Sequence, residues 1–210
     1  MAPEQLTQSQ QVQSDAGSVV RLGGWLFRHR STLPVPLVLA ILIVPAGDAP
    51  ASAGLSALGA ACVAAGEALR LWGVHHIGVI SRTRSDRLGP LIDSGPFALV
   101  RNPLYLGNIL LWVGFAISAQ LVWLAPAIAA LLMLEYHAIV RWEEQLLTAR
   151  IGDPYRDYQR RVPRWIPRLG AAARLKADPT SEWRETFFSE RGTLIAIAAG
   201  CVLLWLKARS

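Results

Sequence analysis

Arg101, Asn102, Pro103, Tyr105 and Gly107 open one long apolar stretch, and Glu143 and Glu144 stand at the end of the next. Charged groups placed where a hydrophobic helix meets water are costly unless they hold something polar. Asn is favoured at a helix cap and Pro at the first helical position, so 102–103 reads as a helix start. Such a start presents free N–H groups and partial positive charge, and Arg101 adds a full one. That combination suits a carboxylate or a phosphate. Gly107 lies one turn beyond Pro103 on the same face, where it lets a ligand or a backbone come close. Glu143 and Glu144 point in different directions from one helix and can hold two groups of one ligand. An anion-seeking helix start facing two carboxylates suits a zwitterion such as an amino-acid moiety. A plainer reading keeps only a well-made helix start and a solvated helix end with an Arg141–Glu144 pair.

These residues need elements that bring them together. Of the 210 residues, 52% are hydrophobic and 17% charged. Soluble domains carry about 25% charged residues, and the apolar residues here cluster in blocks, so an integral membrane protein is expected. The first span is short, at 33–45, and the second runs over 52–80. A polar connector with Arg82, Arg84 and Arg87 fills 81–100. The third span is 103–118 and the fourth begins at 121 and runs to about 147 with a polar extension. A two-residue turn at 119–120 makes these two antiparallel, so Pro103 and Glu144 share one end. A basic tail broken by prolines covers 152–176. Residues 178–191 read as an interfacial piece, and 193–206 as a last apolar helix too short to span with certainty. The expected architecture is all-α: a multi-pass transmembrane bundle of about four to five spans with a helical hairpin and a cytoplasmic C-terminal catalytic tail. Residues 1–20 are expected to be a disordered tail, 21–192 the membrane domain, and 193–210 a separate C-terminal helix.

Arginine falls on alternate sides of these spans: 21–30, the 81–101 connector and the 141–176 tail carry it, and the turns near 47–51 and 118–120 carry none. The positive-inside rule puts the first three on the cytoplasmic side. Lys207 and Arg209 fit poorly if the last helix crosses. The net charge of +6 matches anionic lipid and topology better than nucleic acid. Cys62 and Cys201 form neither metal spacing nor a disulfide framework. Glu67 and Arg70, three apart in an apolar helix, can pair with each other or serve a ligand. His75 and His76 diverge on a helix, so no metal is expected. Tyr155, Tyr158 and Trp165 line a ligand or anchor the tail at an interface.

Arg101-Asn102-Pro103-Leu104-Tyr105-Leu106-Gly107, then Glu143-Glu144, then Gly152, Tyr155 and Tyr158, then Val162-Pro163-Arg164-Trp165-Ile166-Pro167 occur in an order that resembles the membrane-embedded isoprenylcysteine carboxyl methyltransferases and the related phospholipid methyltransferases. Upstream, Leu69-Arg70-Leu71-Trp72 is also similar. The likeness covers residues 66–168. Asn102 stands where the carboxyl methyltransferase pattern has His, so a role that needs imidazole has no residue here. The resemblance implies S-adenosyl-L-methionine as methyl donor, held by Arg101, Asn102, Pro103, Tyr105, Gly107, Glu143 and Glu144. It implies Arg164 and Glu144 as catalytic residues and Arg70, Tyr155 and Tyr158 on the acceptor. The donor's methionyl end is a zwitterion, in agreement with the site read from the residues themselves.

The expected reaction is methyl transfer to a lipophilic acceptor, a prenylcysteine carboxylate or a lipid amine, at the cytoplasmic face of a bacterial inner membrane. The expected partners are the bilayer and the acceptor, and no nucleic acid; oligomeric state is open. Two rivals are an NADPH-dependent sterol-type reductase and a non-catalytic scaffold or transporter. The first should need more pyrophosphate-binding contacts, and the second leaves both charged clusters without a purpose.

Overall fold

A computed structural model describes residues 17–30, 32–46, 52–78, 91–168, 179 and 181–209. Among these, all regular structure is helical: α1 (Ser18–His29), α2 (Val35–Ile43), α3 (Ala53–Ile77), α4 (Pro96–Leu99), α5 (Pro103–Ser118), α6 (Ala125–Ile151), α7 (Asp153–Arg161) and α8 (Trp183–Lys207). Two of them, α3 and α8, are long and apolar enough to cross a membrane, and α5 is a shorter apolar helix. The arginines of the 81–90 connector lie outside the described residues.

The central contact is α3 against α5, and small residues make it possible. A Cβ added to Gly66 would lie 2.6 Å from the Gly107 carbonyl oxygen, and one on Gly114 would lie 2.7 Å from that of Gly59. The two backbones therefore touch at both levels, in the close packing that small residues permit between apolar helices. Residue numbers rise along α3 as they fall along α5, so the helices are antiparallel. The turn after α5 reverses the chain into α6. Gln120 takes a φ of 63° there, and its side chain is tied to the start of α3: Oε1 accepts from Ser52 N at 3.0 Å, and Nε2 donates to Ser56 Oγ at 3.1 Å. Leu37, Ile41, Ala116, Leu121, Ile128, Leu132 and Ile139 form the main apolar core around this corner.

Several expectations need correction. The first apolar segment gives only the nine-residue α2, too short to cross a hydrocarbon core of about 30 Å at about 1.5 Å per residue. The basic stretch before it is α1, which begins at Ser18 inside the expected tail and packs on α6, with Phe27 and Trp142 rings 4.9 Å apart. The chain after residue 180 does not break at 192. Trp183–Lys207 is one helix of 25 residues. Its polar first half is helical because Glu190, fully buried, meets Arg70 of α3 at 2.6 Å. The C-terminal Lys207, awkward for a crossing helix, is also accounted for. Its Nζ donates to the carbonyls of Ile41 and Val44, the latter at 2.6 Å, at the exposed end of α2. Apolar side chains outside these contacts stay exposed: Ile195 by 67%, Leu134 by 73% and Ile43 by 74%. Such surface is what a bilayer covers.

Candidate functional site

The start of α5, the polar half of α6 and the segment after α7 meet at one end of the bundle. Backbone bonds fix the meeting: Arg101 N donates to Pro163 O at 2.9 Å and Arg168 N to Leu99 O at 2.9 Å. α7 is pinned beside them by Tyr158, whose hydroxyl donates to Phe97 O at 2.8 Å. Tyr155 and Tyr158 form a small core with Val162. Burial holds both phenols well above their usual range, so they stay neutral donors. Among the described residues their contacts are with the protein's own backbone and core.

Glu144 sits at the centre. Its carboxylate takes Arg164 through Nε at 3.1 Å and Nη2 at 2.5 Å, and Arg101 through Nη1 at 3.2 Å. The Arg164 fork is bidentate, the strongest geometry for this pair. The helical-spacing pair Arg141–Glu144 does not form this contact; Arg141 is exposed. Glu143, one residue earlier, is in different company. Its Oε1 accepts from the Tyr105 hydroxyl at 3.0 Å. Tyr105 in turn lies 4.7 Å, centroid to centroid, from Tyr136, and Trp165 packs in the same cluster. Two polar atoms here are buried without a hydrogen-bond partner: Arg101 Nε and Trp165 Nε1.

Asn102 occupies the cap position of α5, but its side chain makes no capping hydrogen bond. Nδ2 donates instead to Arg164 O at 3.2 Å. Pro103 is fully buried at the first helical position, against Gly73 of α3. Gly107 faces α3 rather than the carboxylates: a Cβ there would lie 2.6 Å from Arg70 Cγ. It serves close helix packing, the second of the two uses its type allowed. Arg70 is likewise drawn inward. Besides Glu190, its nitrogens meet Glu67 at 3.3 Å, Thr193 Oγ1 at 3.0 Å and Asn108 Oδ1. The Glu67–Arg70 pair was legible from spacing. Glu190, Thr193 and Asn108 were not, because partners on separate helices leave no periodic signal. Tyr136, whose ring lies 4.7 Å from that of Tyr105, was missed for the same reason.

His75 stacks on Trp183 at 4.0 Å and meets Thr186 at 3.3 Å, while His76 is bonded to Trp72 O at 3.0 Å. Among the described residues no group of three His, Cys, Asp or Glu could hold a metal ion.

The site coincides with a known family pattern. The sequence model for phospholipid methyltransferase matches residues 55–153. The nickel-cobalt-cadmium resistance protein NccN of Alcaligenes xylosoxydans xylosoxydans is 32% identical over 154 residues, covering 70% of this chain and 69% of that protein. The cobalt-zinc-cadmium resistance protein CzcN of Cupriavidus metallidurans is 33% identical over 79 residues, 38% of this chain and 36% of its own. Methanethiol S-methyltransferase 2 of Bradyrhizobium diazoefficiens is 38% identical over 79 residues, 37% of this chain and 29% of its own. This chain thus spans about a third of each of the last two. No solved structure matches it significantly. The family match runs through α3, α5 and α6 and takes in Arg101, Tyr105 and both glutamates but stops short of Arg164, and the chain belongs to the phospholipid methyltransferase family.

Proposed function

We propose that this protein transfers a methyl group from S-adenosylmethionine to a lipophilic acceptor at the cytoplasmic rim of a membrane. The observation that carries the reading is the Arg101–Glu144–Arg164 clamp, joined at the same rim to the Tyr105–Glu143 pair. The family and the methanethiol S-methyltransferase relative support methyl transfer as the reaction class.

The residues present fit the donor. Arg101 spends Nη1 on Glu144 and keeps a buried Nε without a partner, which suits the donor's carboxylate. Glu144 holds Arg101 and Arg164 in place, and Asn102 fastens the Arg164 backbone to the helix start. The rings of Tyr105, Tyr136 and Trp165 supply aromatic faces that favour a cation. Bound S-adenosylmethionine would supply a methyl group on a sulfonium. The chain's part is orientation and exclusion of water.

In this reading α3, α5, α6 and α8 cross the bilayer of a bacterial inner membrane, and α2 enters it partway. The acceptor reaches the rim sideways from the lipid. The arginine-rich rim faces the cytoplasm, in line with the positive-inside rule.

Calorimetry on the detergent-purified chain tests this against the rivals. Saturable binding of S-adenosylhomocysteine, lost in Glu144→Gln, is expected. Binding of NADPH in its place would point to a reductase, and binding of neither to a scaffold.

A further inference from the structure

The exposed arginines are matched in two different ways. On α7 each has a carboxylate at hand: Arg156 meets Asp153 at 2.7 Å, Arg160 meets Asp157, and Arg161 meets Asp93 at 3.2 Å. α1 carries Arg21 and Arg28 and no acidic residue. Among the described residues neither of them meets a carboxylate, and both are exposed. Arg30, just past the helix, is turned onto its own chain instead. Its Nη1 donates to Phe27 O at 3.5 Å, and the guanidinium lies 3.9 Å from the centre of the Phe27 ring. The charge of Arg21 and Arg28 thus has no counter-ion within the described chain.

α1 also has two distinct sides. Its inner side lies on α6: a Cβ on Gly23 would lie 2.0 Å from Ala138 O, and Val20 packs with Trp142 and Leu146. Its outer side leaves Leu22 51% and Trp25 46% exposed. At about 100° per residue, Arg21 and Arg28 fall on one flank of that outer side, two turns or about 10 Å apart, next to Leu22 and Trp25. Trp25 is held there by His29, whose ring stacks on the indole at 4.4 Å and whose Nδ1 is bonded to Trp25 O at 2.9 Å. Guanidiniums beside an exposed indole and leucine match a molecule with an anionic head and an apolar body. A zwitterionic head would bring a cation that meets no carboxylate on this helix.

We propose that the outer side of α1 binds an anionic glycerophospholipid, with Arg21 and Arg28 on its phosphate and Leu22 and Trp25 beside its acyl chains. This lipid is not the methyl acceptor. The face that holds it is turned away from α6, the helix of Glu143 and Glu144. Its effect is on placement: α1 touches α6 at Ala138, shortly before the glutamates, so a lipid held on α1 sets the depth at which that rim meets the membrane. The proposal rests on the bilayer reading and not on methyl transfer.

The full chain in nanodiscs of equal parts phosphatidylglycerol and phosphatidylcholine, released into a native mass spectrometer, provides the test. Phosphatidylglycerol is expected to stay on the protein in preference to phosphatidylcholine, and the preference to shrink as salt is raised in the disc buffer. Arg21→Gln combined with Arg28→Gln should lower that preference roughly 25-fold, at about fivefold for each arginine. Both side chains are exposed, so the melting midpoint of this variant should match the parent. Arg156→Gln combined with Arg160→Gln removes as much charge from α7 and should leave the preference nearly unchanged, because those arginines already have aspartates. Brominated phosphatidylglycerol should quench more tryptophan emission than brominated phosphatidylcholine, and Trp25→Phe should remove the difference, which places the lipid on α1. Equal retention of the two lipids, a preference unchanged in the α1 variant, an equal loss in the α7 variant, or a doubled protein mass that the α1 variant abolishes would each overturn the assignment. None of these readouts uses S-adenosylmethionine, so the lipid site stands or falls apart from methyl transfer. A chain that does not enter nanodiscs would overturn the bilayer reading itself.

Discussion

Asn102 donates to the backbone carbonyl of Arg164 across 62 positions of sequence, at 3.2 Å. The residue at the cap of α5 therefore acts as a strut to the tail, and its own helix start goes without a side-chain cap. This distinguishes two roles that one residue type can play.

A strut needs a donor, whereas a cap needs an acceptor. Asn102→Asp keeps an excellent capping side chain and loses the N–H, and Asn102→Ala loses both. Both variants are expected to weaken S-adenosylhomocysteine binding alike, each by roughly the 1 kcal/mol of a neutral hydrogen bond, or about fivefold. Calorimetry checks this; Asp behaving like the parent would restore the capping role.

Removing the charge of Glu144 leaves Arg101 and Arg164 close together without their shared anion. Glu144→Gln is expected to destabilise the protein by roughly 3 kcal/mol, the low end for breaking a buried pair. Thermal melting in detergent should show a lower midpoint, partly restored by Glu144→Gln combined with Arg164→Met. No recovery in the double variant would separate the two residues.

Tyr105→Phe deletes the hydroxyl that meets Glu143 and leaves the ring against Tyr136. A hydrogen bond to a charged group contributes about 1.5–3 kcal/mol. Methyl transfer should fall about tenfold or more with donor affinity little changed. A fall in affinity with turnover intact would place Tyr105 on the donor instead.

Gly107→Leu should act on folding before it acts on any ligand, because its Cβ would collide with Arg70 and the Gly66 carbonyl. Gly66→Leu, on the partner helix, is expected to do the same. Both should lower the melting midpoint and the yield of dispersed protein in size-exclusion chromatography, by more than the 1–3 kcal/mol of ordinary overpacking. A stable, inactive Gly107→Leu would move that residue back to the site.

Tyr155 and Tyr158 titrate above the ordinary phenol value near 10 when folded and near it when unfolded. The unfolded chain then binds fewer protons in alkali, so stability is full below about pH 10 and is lost as pH rises beyond it. Melting midpoints across that range should fall more steeply in the parent than in Tyr155→Phe.

Much of this was readable in the residues themselves. The apolar helix 103–118, the chain reversal after it and the end shared by Pro103 and Glu144 followed from apolar run lengths and a helix-start pair, which are local signals, whereas the connection to α6 takes residues 119–124 and not the expected two. The i, i+3 pair Glu67–Arg70 was visible for the same reason. What stayed hidden was set by contacts between distant helices. Hydropathy broke the last helix near 192 because Glu190 counts as a charge wherever it is. Its burial against Arg70 belongs to tertiary structure. Glu144 was read with Arg141, its helical neighbour, and the structure gives it Arg101 and Arg164, on two other segments. Gly107 showed that something came close, and not what.

Lys207 has a consequence for how the chain is assembled. The short α2 presents carbonyls at its end, and the cation that satisfies two of them comes from residue 207, at the end of α8. α2 is made early in synthesis and completed late: its last turn gains that partner only once residue 207 has left the ribosome. Truncation ahead of residue 207 would therefore be felt first near residue 44, at the rim farthest from the glutamates.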